Sequence, residues 1–329
     1  AGTRSTAEVA ARVNEALQQG LLHPSLEVRI AIGEIKREIE QIRLDRQLSC
    51  LLNPRCDTAA ICLPGWHEFS ISAGDDMAAR RMYALTFSRY PYELRALETG
   101  IFERNTKRHS DGIDAYRLPP EDAVGWTALL LLDINGPKSR VPDRSSRLAM
   151  ALGNLAMGPR TGGAPNAIVL ERLIDRWLRT HKDNCTTRER LLIAMRYGRN
   201  ELAAELCAQI FSDTSASPST QVTALLSASA LGRGDIELQT RVRLNDDRTA
   251  HVWQLIASRK TKIRTQVRDV ALALLLHHHG VDPRLVGFDE LQADPLLLFR
   301  DHSLGFPDEA SRRRSFETAR RMIPSTESP

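Results

Sequence analysis

A helix-forming phrase recurs in the second half of the chain, and it constrains the fold more than any other feature. It reads Leu191-Leu192-x-Ala194-x-x-Tyr197-Gly198, then Leu225-Leu226-x-Ala228-x-x-Leu231-Gly232, then Val270-Ala271-x-Ala273-x-x-Leu276. The first two copies are offset by 34 residues and the last two by 45. Helical hairpins recur at such periods because one hairpin cannot bury its apolar face alone and must pack on the next. The expected fold is therefore all-α, a solenoid-like stack of helical hairpins from about residue 166 onward. The amino-terminal half should be helical but less regular.

Composition supports helix over sheet. Aromatic residues make up only 5% of the 329 positions, and Leu, Ala, Arg and Glu dominate. The formal net charge of +4 is mild, whereas nucleic-acid-binding domains usually carry a stronger, clustered excess. The longest strongly apolar run, Thr127 to Leu132, is far short of the roughly 20 residues that cross a bilayer, so no transmembrane segment is expected. The small residues Ala1-Gly2-Thr3 are compatible with the mature side of a signal-peptidase cut, which leans the compartment toward export.

Apolar periodicity and capping residues mark the elements. Val9, Val13, Ala16 and Leu17 form a stripe within Thr6 to Gln19. Pro24 and Ser25 suit the start of a second helix, which runs past Ile35, Ile39 and Ile42 to Leu48 with Glu and Lys/Arg alternating on its outer face. From Asn53 to Ala73 the pattern dissolves into Pro, Gly and Asp, and a long loop is expected. Further helices are predicted over 76–87, 92–102, 123–132 and 145–157, with a polar stretch at 105–114. The Gly/Pro-rich loop 158–165 then divides an irregular helical region, 1–157, from a helical-repeat region, 166–329, unless the two form one continuous array. In the latter, helices are predicted near 169–181, 187–197, 202–211, 219–231, 252–257, 264–278 and 308–322, with no run of strands.

His23-Pro24-Ser25 followed by Val28-Arg29 resembles the opening of a HEAT repeat, and so does Val267-Arg268-Asp269-Val270-Ala271-Leu272-Ala273-Leu274. The resemblance covers about a third of the chain. It implies core positions at Val28, Val267 and Ala271, and bracing arginines at Arg29 and Arg268. Tyr197-Gly198 followed by Ala203-Ala204 is similar to tetratricopeptide hairpins, without their Trp and Pro signposts. Segments 53–73 and 104–118 fit no repeat.

Signatures of chemistry are scarce. His277-His278-His279 point about 100° apart on a helix and cannot close on one ion; before Gly280 they suit a helix C-terminus. Cys50, Cys56 and Cys62 are spaced loosely for a zinc knuckle, which leaves a local disulfide or buried thiols; Cys185 and Cys207 flank a predicted hairpin. The 158–165 loop lacks the Gly-Lys-Ser/Thr ending of a P-loop. His67-Glu68 is a single His-Glu pair, where the HEAT-like metal hydroxylases have a four-fold set of such pairs. No hydrolase, zincin or dinucleotide motif is present, so nothing points to an enzyme, and no cofactor or metal is expected.

The chain therefore reads as a non-catalytic scaffold or assembly subunit that binds another protein through its helical-repeat surface and loops. The alternative is a helical-repeat protein that holds nucleic-acid phosphates with surface arginines. Candidate partner-binding residues are Leu63 and Trp66, in the apolar loop, and Arg312, Arg313 and Arg314, on the last predicted helix. The apolar run Ala59 to Leu63 must bury itself against its own domain or a partner.

Overall fold

The computed structural model describes residues 6–99, 113–135, 144–154, 156–162, 167–180, 186–254 and 262–323. These residues are mainly helical, with 14 α-helices packed against one another. Two long helices open the chain, α1 (Thr6–Leu21) and α2 (Leu26–Leu51). They are followed by α3 (Trp66–Ala73), α4 (Met77–Arg89), α5 (Pro91–Thr99), α6 (Ala123–Asn135) and α7 (Arg144–Gly153). The second half contains α8 (Ala167–Thr180), α9 (Thr187–Arg196), α10 (Asn200–Ser212), α11 (Pro218–Ala230), α12 (Ile236–Arg243), α13 (Val267–His278) and α14 (Glu309–Met322).

α6 is the hub of the first half. Trp126 and Ala128 to Leu132 are all buried, so this helix is apolar on every side and must be surrounded. It packs against α4, α5 and α8. Trp177 of α8 donates its indole N–H to Asp133 at 2.7 Å, which ties α8 to α6 through a polar handle on a buried ring. α8 also packs on α3 and α4, so one apolar core continues across residues 158–165.

The three copies of the recurring phrase lie on α9, α11 and α13. α9 packs on α10 and α11, α11 on α12 and α13, and α14 closes on α13. Leu191, Ala194, Leu225, Ala228, Val270 and Ala273 are all 0% exposed, as inter-helix positions should be. Helix starts are fixed by side chains: Thr186 and Glu189 form a capping box, Ser217 caps α11 ahead of Pro218, and Asp308 caps α14. Gly198 and Gly232 follow α9 and α11 with φ of 64° and 65°, the left-handed conformation that ends helices.

Three expectations need correction. Of the helix predicted near 252–257, residues 252–254 lie instead in strand β1 (Thr249–Gln254), and 255–257 lie outside the described residues; β1 pairs antiparallel with β2 (Lys262–Gln266), so α13 begins at Val267 and not at Arg264. Ile263 and Thr265 point inward while Lys262 and Arg264 are exposed, the period of a half-buried strand. A second, two-residue pair joins β3 (Ala293–Asp294) to β4 (Leu298–Phe299). The loop expected over 53–73 is shorter: Thr58–Ala60 make a 3-10 turn and α3 starts at Trp66. Finally, Val28 is not a core position. It is 36% exposed, whereas Val267 and Ala271 are fully buried. Arg268 pairs with Glu309 of α14 at 3.0 Å, whereas Arg29 is exposed.

Candidate protein-binding interface

Among the described residues, the α1–α2 hairpin meets the rest of the molecule near its base. On α2 the buried residues are Leu44 and Leu51, with Leu48 packed beside them on the core. Three links hold this end. Cys50 and Cys56 form a disulfide, Cys62 N–H donates to the Gln47 side chain at 3.2 Å, and Arg80 of α4 donates to the Asn53 carbonyl at 3.2 Å. Toward the amino terminus, residues 26–43 of α2 are all exposed or half-exposed. The hairpin is an arm.

That arm is apolar where it should be polar. Val28, Ile32, Ile35, Ile39 and Ile42 repeat at spacings of four and three, the a/d seam of a coiled coil. At about 100° per residue this stripe lies roughly opposite the Leu44, Leu48 and Leu51 face that docks on the body. Docking the arm therefore cannot cover the seam. α1 covers it in part: Gly20 lies so close to Ile32 that an added Cβ would sit 2.7 Å from its Cγ1. One helix is not enough. Ile35, Ile39 and Ile42 remain 46%, 42% and 62% exposed, and Val9 and Val13 of α1 remain 50% and 43%. Among the described residues, nine of the 21 exposed large apolar side chains lie between Val9 and Ile42, although Leu26 and Ile30 fall on the Leu44 side of α2, opposite the seam.

The residues singled out from sequence sit elsewhere. Leu63 and Trp66 are 2% and 3% exposed and belong to the core. The Trp66 ring meets Tyr83 edge-on at 5.1 Å and stacks with Phe69 at 6.0 Å, while the Tyr83 hydroxyl donates to the Pro64 carbonyl at 2.7 Å. Arg312 is buried against Asp269, whereas Arg313 and Arg314 are exposed. The structure does not bring the loop pair and the arginines together. The Ile seam was present in the sequence as a regular stripe, but a stripe of that kind ordinarily faces a core.

Polar clusters elsewhere are structural ties. His278 and His279 each lie 3.5 Å from Glu237, and His277 meets Phe299 edge-on, so the three imidazoles do not converge. Asp301 gathers His251 at 3.0 Å, His302 at 3.4 Å and Arg188 at 3.5 Å, joining β1, α9 and the turn Asp301–Ser303. Contact with His251, ahead of its charge and that of Arg188, holds the Asp301 carboxyl down at about 2 against its burial. Cys207 is a buried thiol that desolvation pushes up to about 12, which leaves it unreactive; Cys62 is exposed, and Cys185 lies outside the described residues. A small cleft of about 150 Å³ is lined by Thr186, Arg188, Asp213 and Thr220 among others. Among the described residues, no group of three or more His, Cys, Asp or Glu side chains could hold a metal ion. No helix among them is long and apolar enough to cross a membrane. No protein-family model, curated protein or solved structure matches the chain.

Proposed function

We propose that this chain is a non-catalytic assembly subunit that binds protein through the α1–α2 arm, with a solenoid-like stack of α9 to α14 as part of its rigid support. The observation that carries the reading is the seam of Ile35, Ile39 and Ile42, held open on the side of α2 away from the body. Burying apolar surface contributes about 25 cal/mol per Å², so a seam left half in water favours any complementary helix that covers it. The Cys50–Cys56 disulfide fits an oxidising compartment and supports the lean toward export.

Affinity recovery from the native source, with proteins identified by mass spectrometry, tests this. Wild-type chain should retain a defined set of proteins, its own copies included, as salt is raised, because an apolar contact is far less salt-sensitive than a phosphate-led one. Ile35→Glu/Ile39→Glu should lose that set without loss of helical circular dichroism, since both side chains are already solvent-exposed. Retention of the same set by the variant would remove the arm from the binding surface.

A further inference from the structure

We propose that the occupant of the arm is a second copy of this chain, whose own α1–α2 hairpin packs on the first to form a four-helix bundle with the two α2 helices parallel. The inference rests on the arm being a protein-binding surface, and it names the protein.

Charge selects the partner. In the heptad register set by Val28, Ile32, Ile35, Ile39 and Ile42, the residues flanking the seam on one side are Arg29, Lys36 and Arg43. On the other side they are Ala31, Glu38 and Asp45. Such flanking charges set orientation and partner choice in helix pairs. A parallel copy places Glu38 of one chain beside Arg43 of the other, twice by symmetry. An antiparallel copy sets the basic edge against itself. Arg43 is available for exchange: its contact with Glu40 is 3.9 Å long, between side chains 62% and 52% exposed, and worth little. Over 26–51 the helix carries five acidic residues (Glu27, Glu34, Glu38, Glu40, Asp45) and five basic ones (Arg29, Lys36, Arg37, Arg43, Arg46). It therefore does not repel its own copy, whereas a surface built for a strongly charged partner would carry one sign.

Area and packing agree. From Leu26 to Arg43 the helix extends about 26 Å, and two helices side by side span about 20 Å, so each arm offers about 500 Å². Two arms that meet along α2 on the two-fold axis, with the α1 helices outside, bury at most about 1,000 Å², the threshold for a specific but weak interface. Isoleucine at both seam positions disfavours a two-helix pair and suits higher-order packing of helices. An isologous contact through one two-fold axis closes on itself and leaves no open seam to propagate.

Analytical ultracentrifugation of the full chain across a concentration series tests this, with helical circular dichroism as the folding control. Wild type should sediment at twice the 36.8 kDa chain mass. Ile35→Glu/Ile39→Glu should sediment as a monomer with unchanged helicity. Glu38→Arg should weaken association several-fold, and Glu38→Arg/Arg43→Glu should restore it. A wild-type monomer at about 100 µM, well above the micromolar range of weak specific complexes, overturns the proposal. So does a dimer that Ile35→Glu/Ile39→Glu leaves intact, and a dimer indifferent to Glu38→Arg overturns the parallel register. A monomeric wild type whose capture of other proteins is abolished by Ile35→Glu/Ile39→Glu would overturn the second copy while leaving the arm as the binding surface.

Discussion

Arg312 donates from Nε and Nη2 to the two carboxylate oxygens of Asp269, at 2.8 and 3.2 Å, with both side chains out of water. The same guanidinium reaches Glu309 at 2.6 Å and the Arg264 carbonyl at 3.1 Å. Asp269 also accepts from the Gln266 N–H at the start of α13, so one pair fixes β2, α13 and α14 together. Burial pushes the Asp269 carboxyl up to about 6 despite the guanidinium, which is itself held charged by its two carboxylate partners.

Removing one partner of such a pair leaves a buried charge uncompensated. Arg312→Ala should therefore lower stability by about 3–5 kcal/mol near neutral pH, while Arg313→Ala, at an exposed site, should change it by less than about 0.5 kcal/mol. The folded carboxyl, at about 6, lies above its ordinary 3.8, so its contribution is fully present below 3.8 and is lost as pH rises through 6. Without the guanidinium the carboxyl moves higher still. The penalty of Arg312→Ala should thus be larger at pH 7 than at pH 4.5, as read from urea midpoints at the two values. Equal penalties at both would exclude an uncompensated Asp269 charge as the cause.

Asp301 carries the opposite sign. Its folded carboxyl, near 2, lies below 3.8, so its contribution is present above 3.8 and is lost as pH falls toward 2. Across that interval the unfolded chain takes up the proton first. Asp301→Asn should flatten the loss of stability between pH 4 and pH 2 relative to wild type, measured by urea unfolding at half-unit steps. His251→Ala should flatten it partly, because His251 is the largest cause of the shift. Parallel curves for all three proteins would mean that Asp301 does not titrate with folding.

The contrast between these residues shows what sequence patterns carry. Most helix positions follow from local spacing and residue chemistry. The expectation that the apolar run Ala59 to Leu63 buries itself holds only at Leu63: Ala59, Ala60 and Cys62 are exposed and Ile61 is half-buried. The docking role considered for Arg312 rested on its place in a basic run, but its partner lies 43 residues away in Asp269 and leaves no mark on the local pattern. Periodicity misses the β1–β2 hairpin because Val252 and Trp253 fit either period over so short a run; their partners Arg264 and Ile263 settle it. The arm is the subtler case. Its seam is plain at 28, 32, 35, 39 and 42, yet its exposure depends on Leu44, Leu48 and Leu51 taking the opposite face to the body.

Trp66 sits among Phe69, Tyr83 and Leu63 with almost no exposed surface. Trp66→Ala should cost about 3–5 kcal/mol, the range for emptying a large buried aromatic site. Thermal denaturation should show a drop of several degrees. Partner recovery through the arm should persist at temperatures where the variant remains folded. Unchanged melting would mean that Trp66 does not occupy this core.

The Cys50–Cys56 disulfide closes a short loop at the base of the arm. Loop-closure entropy for so few residues gives about 2 kcal/mol. Cys50→Ser/Cys56→Ser should reduce stability by about that much. Hydrogen exchange should rise first in α2 near Leu48 and Leu51, in the last turns that carry Cys50. Exchange that rises uniformly through α9 to α13 instead would indicate that the disulfide supports the whole domain and not the arm alone.

Gly198 and Gly232 end the two helices that carry the clearest copies of the recurring phrase, and both adopt positive φ. A Cβ built on either meets nothing within 4 Å, so space is not what selects glycine there. Backbone conformation is: the left-handed region costs an alanine about 1–2 kcal/mol. Gly198→Ala and Gly232→Ala should each destabilise by about that amount, and the effects should add, because the sites cap different helices. Asparagine, which tolerates the left-handed region better, should recover part of the loss at both positions. Urea denaturation of the four single variants and the double alanine variant decides the matter. Alanine variants as stable as wild type would show that these helix ends relax to negative φ, and that the period of the phrase is set by the apolar positions alone.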